Sequence, residues 1–360
     1  MTNHNSILNF NAGPAALPAE VLQQTSQAVI NYNNTGLSIL EIPHRGKHFD
    51  AILEESKSLV IELCGLGNDY EVLFMHGGGR LQFCMIPMNF TGANETAGYI
   101  DSGHWAAEAA DYAKYYGKTE VLCSSKSDNY SHLPVWPSVI DIKLSYLHYT
   151  TNNTIYGTQW KDIPACNVPL IADMSSDIFS QQRDYSRCAM FYAVAQKNIG
   201  PAGTTLVVLH KDMLKKINKG QPPMLDYAAH VKENSVLNTP PVFAIYTTML
   251  MLRWIKAKGI AAVEKENAAK AALLYDEVSR NSLFHSIIKE SDRSTMNVCF
   301  VAKDVSNEKT FITFCEQRGI TNIAGHRSTG GFRASLYNAI PLSAVKRLVQ
   351  AMKEFEIEKA

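Results

Sequence analysis

No apolar run in this sequence approaches the roughly 20 residues that a membrane-crossing helix needs, so a spanning protein is not expected. The opening Met1-Thr2-Asn3-His4-Asn5 lacks the apolar stretch of a secretory signal. Net charge is missing too: 34 lysines and arginines balance 34 aspartates and glutamates, and no basic run breaks the balance. That argues against nucleic acid or an anionic membrane as partner and leaves anion recognition to a few placed cations. The seven cysteines form no Cys-x-x-Cys pair, and the eleven histidines show no His-Glu-x-x-His spacing. Neither a disulfide framework nor a metal site is expected, and most of the cysteines read as small buried hydrophobes. Internal repeats and low-complexity segments are also absent. What remains is a cytoplasmic, soluble enzyme.

The 360 residues exceed the usual size of one domain, so two are expected. Between about residues 70 and 210 short apolar runs alternate with helical patterns: 71–75, 95–100, 119–122, 145–149, 168–172 and 190–195. Such alternation implies a mostly parallel sheet covered by helices. A further run at 204–209 follows after a short Gly-Pro turn, as an antiparallel return does. Before the sheet, Leu17-Pro18-Ala19-Glu20 opens a helix with proline in its first turn. After it, helical segments 243–258 and 260–281 are broken at Gly259, where the domain boundary is placed. The tail carries a strand at 296–301, a helix at 308–318 and a last helix from Pro341.

Two residues stand at the ends of neighbouring apolar runs. Asp173 closes one, and Lys197 follows the other in Gln196-Lys197-Asn198-Ile199-Gly200-Pro201. Ligands of open α/β sheets sit beyond the carboxyl ends of strands, so this acid and amine can face one site. Such a pair suits a pyridoxal phosphate enzyme, with the lysine as Schiff base and the acid on the ring nitrogen. Asp173 could equally cap the turn that follows it, and Lys197 could be a solvated loop charge. His76-Gly77-Gly78-Gly79-Arg80 lies between a strand and a helix, where glycine amides and a helix N-terminus can hold a phosphate. Trp105, after the next strand, could stack on a flat cofactor or simply fill the core. His44-Arg45 and His326-Arg327, the latter followed by Arg333, form two cation clusters. Arginine pairs donors onto carboxylate and phosphate, so the clusters fit a small polyanionic substrate better than surface salt bridges alone.

Taken in order, several segments carry a family resemblance: Phe10-Asn11-Ala12-Gly13-Pro14-Ala15, residues 41–47, 76–83, 195–203, Asn238-Thr239-Pro240-Pro241, and 325–335. The chain resembles the phosphoserine aminotransferases, class V aminotransferases among the fold-type I pyridoxal phosphate enzymes. The resemblance implies an α/β fold: a large domain, residues 17–258, with a mostly parallel seven-stranded sheet. It also implies a smaller C-terminal α+β domain, residues 259–360, against which an N-terminal segment, 1–16, packs. Lys197 corresponds to the Schiff-base lysine and Asp173 to the partner of the pyridine nitrogen. Trp105 and Thr154 would flank the ring, and Gly79, Arg80 and Gln196 would hold the cofactor phosphate. Asn238 and Thr239 would reach that phosphate from the other subunit of a homodimer. Arg333 would take the substrate's α-carboxylate. His44, Arg45, Arg80, His326 and Arg327 would form the pocket for its distal anion. Ala12 stands where some relatives carry serine, so a hydroxyl contact is lost there.

The implied reaction passes the amino group of glutamate to 3-phosphohydroxypyruvate, giving O-phosphoserine and 2-oxoglutarate in serine biosynthesis. The family is also implied in forming 4-phosphohydroxy-L-threonine for pyridoxine biosynthesis. Rivals are another class V aminotransferase or a cysteine desulfurase-like enzyme, and, outside enzymes, a noncatalytic phosphometabolite-binding protein. A desulfurase needs an exposed nucleophilic thiol. Cys299 and Cys315 lie instead in apolar strand-like and helix-like surroundings.

Overall fold

A computed structural model describes residues 7–360 of the chain. The apolar runs between residues 70 and 210 become the seven strands of one sheet. Across it the order is Tyr70–Met75, Thr205–His210, Met190–Val194, Leu170–Asp173, Leu147–Thr150, Thr96–Asp101 and Lys118–Ser124. All neighbouring pairs are parallel except those made by Thr205–His210, which runs antiparallel to both of its neighbours. The link from Val194 to Thr205 is too short to cross over and start a parallel strand, so the chain turns back.

Side chains leave the sheet on alternate faces. Leu206 and Val208 pack on one side under helices Ala19–Asn31, Lys47–Cys64 and Val242–Lys258. Val207 and Leu209 pack on the other, with helices Gly78–Phe90 and His104–Ala113. Both faces are therefore covered, which is why the central strands read as unbroken apolar runs rather than alternating ones.

A second core gathers helices Ile260–Arg280, Asn307–Glu316 and Leu342–Lys359 around an antiparallel sheet of Phe284–His285, Asn297–Ala302 and Phe332–Ser335. Phe284, Phe311, Phe332 and Phe355 form its aromatic centre. Phe10 is buried in this same core, and Leu8–Asn9 pairs in parallel with Ile320–Thr321. Residues 1–6 of the expected N-terminal segment lie outside the described residues.

Helix limits fall close to those expected. The break at Gly259 is present at a φ of 79°, and Pro18 and Pro341 cap their helices from just outside. The Met190 strand ends at Val194, one residue early, and Lys197 sits on a single helical turn, Ala195–Asn198.

One lysine is sealed inside the structure. Lys270 has no exposed surface, and its Nζ donates to the carbonyls of Leu336 at 2.8 Å, Tyr337 at 2.9 Å and Ile340 at 3.0 Å. It thus ties the long helix Ile260–Arg280 to the bend before the last helix. Burial pulls the amine's pKa down to about 7. Lys270→Met keeps the stem's bulk but removes the donor shared by three buried carbonyls, of which that of Tyr337 still accepts the Ile340 N–H at 2.9 Å. The expected loss is about 2–4 kcal/mol of stability, read in a urea titration. An unchanged midpoint and slope would show that the amine does not secure this bend.

Candidate active site

Strand order places the candidate acid and amine side by side. Leu170–Asp173 pairs in parallel with Met190–Val194, with Asp173 level with Tyr192, so both strands end at the same edge of the sheet. Asp173 is 6 % exposed, and its Oδ1 accepts the Ser175 backbone N–H at 2.9 Å. Asp173 thus caps the turn that follows it, and the same side chain lines a cavity. Burial raises the Asp173 pKa, and the nearby Lys197 opposes that rise. Burial also lowers the Lys197 pKa; Asp173 counters this and Arg333 reinforces it. A lysine so placed reaches its neutral, basic form at lower pH than a solvated one.

Both residues line a cavity of about 410 Å³, together with Gly79, Arg80, Trp105, Thr154, Gln196, His326 and Arg333. Residues at the edge of the large sheet thus meet His326 and Arg333 from the C-terminal part of the chain at one site. Lys197 Nζ lies 5.9 Å from the centre of the Trp105 ring, and the Trp105 Nε1 donates to Thr154 Oγ1 at 3.2 Å. Arg333, from the C-terminal sheet, donates through Nη1 to the Thr154 carbonyl at 3.0 Å. Gly13, at a φ of 139°, lies so close that an added Cβ would stand 3.3 Å from Lys197 Cγ. Any larger residue there would crowd the lysine stem.

The glycine loop closes the cavity with a helix start. Gly77 and Gly78 take φ values of 88° and 67°, and helix Gly78–Phe90 has no side-chain cap. Its first amides have no partner within the helix, and Gly78, Gly79 and Arg80 line the cavity, which suits an anion. Gly77 could not be replaced freely, since an added Cβ would collide with Leu81 Cδ2.

Nine of the expected site residues are thus brought together. His44, Arg45, Arg327, Asn238 and Thr239 are not among the residues lining this cavity. Arg45, Arg327, Asn238 and Thr239 are exposed, and His44 is half-buried on the same loop as Arg45. Three contributors went unforeseen. Ser175 holds Asp173 and lines the cavity. Tyr192 stands level with Asp173, its hydroxyl 3.0 Å from the buried His148 Nε2. Glu108 pairs with Arg80, Oε1 to Nε at 2.9 Å. A serine two residues beyond a strand-end aspartate was a usable signal; the separation of 28 positions from Arg80 to Glu108 offered none.

Comparison with known proteins agrees with this architecture. The family description "Aminotransferase class-V" matches residues 7–348. A phosphoserine aminotransferase of Flavobacterium johnsoniae is 50% identical over 350 residues, covering 97% of this chain and 98% of that protein. The phosphoserine aminotransferase structure from Bacillus circulans subsp. alkalophilus superposes with a TM-score of 0.95 at 42% identity, covering 98% of each chain. A pyridoxal phosphate-bound phosphoserine aminotransferase from Trichomonas vaginalis has a TM-score of 0.91 at 37% identity, over 96% of this chain and 99% of that one. The chain belongs to the class-V aminotransferase family.

Proposed function

We propose that this enzyme transfers the amino group of glutamate to 3-phosphohydroxypyruvate, yielding O-phosphoserine and 2-oxoglutarate in serine biosynthesis. The observation that carries the proposal is the convergence of Lys197, Asp173 and Trp105 in one cavity whose remaining wall holds Arg80, His326 and Arg333. Half-reactions on an amino acid and an oxo acid need one site for both, and these cations serve a carboxylate or a phosphate alike.

The donor set fits pyridoxal phosphate. A buried carboxylate awaits a ring nitrogen, an indole face awaits a flat ring, and an uncapped helix start awaits a phosphate. Lys197 would hold the cofactor as a Schiff base, Asp173 its ring nitrogen, and Trp105 and Thr154 its flanks. The amides of Gly79 and Arg80, with Gln196, would hold its phosphate. When bound, the cofactor supplies an electron sink for the carbanion formed at the substrate's Cα.

The protein's own work is then binding and proton handling. Arg333 fixes the α-carboxylate, and Arg80 with His326 meets the distal anion. Lys197 Nζ would take the Cα proton, and its lowered pKa makes it a base at lower pH than a solvated lysine. The carboxylate of Asp173 would hold positive charge on the cofactor's ring nitrogen, and its burial would strengthen that interaction. Trp105 and the glycine loop supply walls of the cavity on the side of the large sheet.

His44, Arg45, Arg327, Asn238 and Thr239 have a part only if a second subunit brings loops together across an interface, as in a homodimer. Within each subunit residues 17–258 would form the cofactor-binding domain. Residues 259–360, joined by the N-terminal segment, would form the smaller one that supplies His326 and Arg333. The setting proposed is the cytoplasm; no helix among the described residues is long and apolar enough to cross a membrane. A desulfurase is disfavoured because Cys299 and Cys315 are buried and burial pushes each thiol up to about 12.

The test is amino transfer from O-phosphoserine to 2-oxoglutarate, compared with transfer from serine. A kcat/KM at least about 100-fold higher for the phosphorylated donor is expected, since a site built for an anion leaves its cations unpaired without one. Equal use of both donors would remove the phosphate from the proposal.

A further inference from the structure

Arg80 does not stand free at the cavity mouth. Its side chain is 60 % exposed, yet its guanidinium is engaged on two sides. Nε donates to Glu108 Oε1 at 2.9 Å and Nη2 to Glu108 Oε2 at 3.4 Å, a side-on bidentate pair. The guanidinium carbon lies 5.3 Å over the Trp105 ring. Glu108 is the more buried partner, 19 % exposed, and rides the same helix as Trp105, one turn on from His104. Its Oε2 also lies 3.7 Å from His104 Nε2, and the His104 ring is 6.2 Å from that of His326.

A guanidinium has five N–H groups in a rigid fork. A side-on pair uses Nε–H and one Nη2–H, and leaves the end-on edge, Nη1 with the other Nη2–H, for a second anion. An arginine this exposed would otherwise sample many rotamers and lose that freedom only on meeting the substrate. As a surface ion pair the contact adds little stability, so its presence at a binding site calls for another account.

We infer that Glu108 is a positioning residue for substrate recognition: it clamps the Arg80 guanidinium against Trp105 so that its end-on edge is held ready for the substrate's distal anion. Glu108 touches neither substrate nor cofactor and acts only through Arg80. The inference rests on the proposal that Arg80 meets that anion. A carboxylate in a cationic wall would by charge alone weaken anion binding, so the clamp makes a prediction opposite in sign to simple charge counting.

The experiment is a double-mutant cycle in the holoenzyme. Glu108→Ala should raise the KM for O-phosphoserine about tenfold while kcat changes by less than about threefold, because orientation rather than chemistry is lost. Glu108→Gln, which keeps the shape and one acceptor oxygen, should fall between the two. In an Arg80→Ala background, Glu108→Ala should change KM no further. Calorimetric titration of the holoenzyme with inorganic phosphate supplies a readout independent of turnover, in which Glu108→Ala should weaken binding about tenfold. An unchanged or lowered KM, unchanged phosphate affinity, or an equal KM rise without Arg80 would each overturn the inference. Failure of the wild-type enzyme to prefer O-phosphoserine over serine would instead sink the substrate proposal, and the phosphate titration would still decide on Glu108.

Discussion

Lys197→Ala should leave a folded protein that binds pyridoxal phosphate without a covalent bond and transfers amino groups at least about 10⁴-fold more slowly. Under the proposed function the lysine has two tasks, and alanine can do neither. Its amine is the only one among the residues lining the cavity, and no histidine of the cavity lies on the strand ends beside Asp173. His326 belongs to the opposite, C-terminal wall, where its Nδ1 is engaged with Ser328 Oγ at 2.7 Å. The fold should survive, because the turn that carries Lys197 is anchored by Asn198, whose side chain donates to the Ile178 carbonyl at 2.6 Å. Single-turnover mixing with O-phosphoserine measures the effect. Activity within tenfold of the wild type would mean that another group moves the proton.

Asp173→Asn should lower kcat by about 10²–10³-fold, the ~3–4 kcal/mol typical of losing one preorganised charge at a water-poor site. Asparagine is nearly isosteric and can still accept the Ser175 amide, so local structure is preserved. What disappears is the negative charge, and with it the protonated state of the ring nitrogen. The effect belongs to chemistry rather than binding, so KM should move much less than kcat. A drop below about tenfold, ~1.4 kcal/mol, would place the acid outside the reacting centre.

Most of the sheet was legible because its strands are short apolar runs ended by chemically distinct residues. Asp173 and Lys197 could be paired from sequence since the strand that ends in Asp173 and the strand that ends just before Lys197 are adjacent in both chain and sheet. The glycine loop was equally visible, as only glycine tolerates the positive φ of Gly77 beside the Leu81 side chain. What stayed hidden depends on through-space contacts between distant segments. Glu108 meets Arg80 only because helices Gly78–Phe90 and His104–Ala113 pack side by side. The Tyr192–His148 pair depends on strand register that no spacing encodes. His44, Arg45 and Arg327 looked like pocket residues by type, but they sit on loops that this chain does not fold over the cavity. Residue type there suggested an anion site, but these side chains do not line the cavity of this chain.

The central claim is that Lys197 carries the cofactor. Borohydride reduction of the yellow holoenzyme, followed by proteolysis and mass spectrometry, tests it most directly. The account predicts loss of the visible absorbance and a pyridoxyl group on the peptide containing Gln196-Lys197-Asn198, at Lys197 alone. A label on any other lysine, or a protein from which the cofactor dialyses away unchanged after reduction, would contradict it.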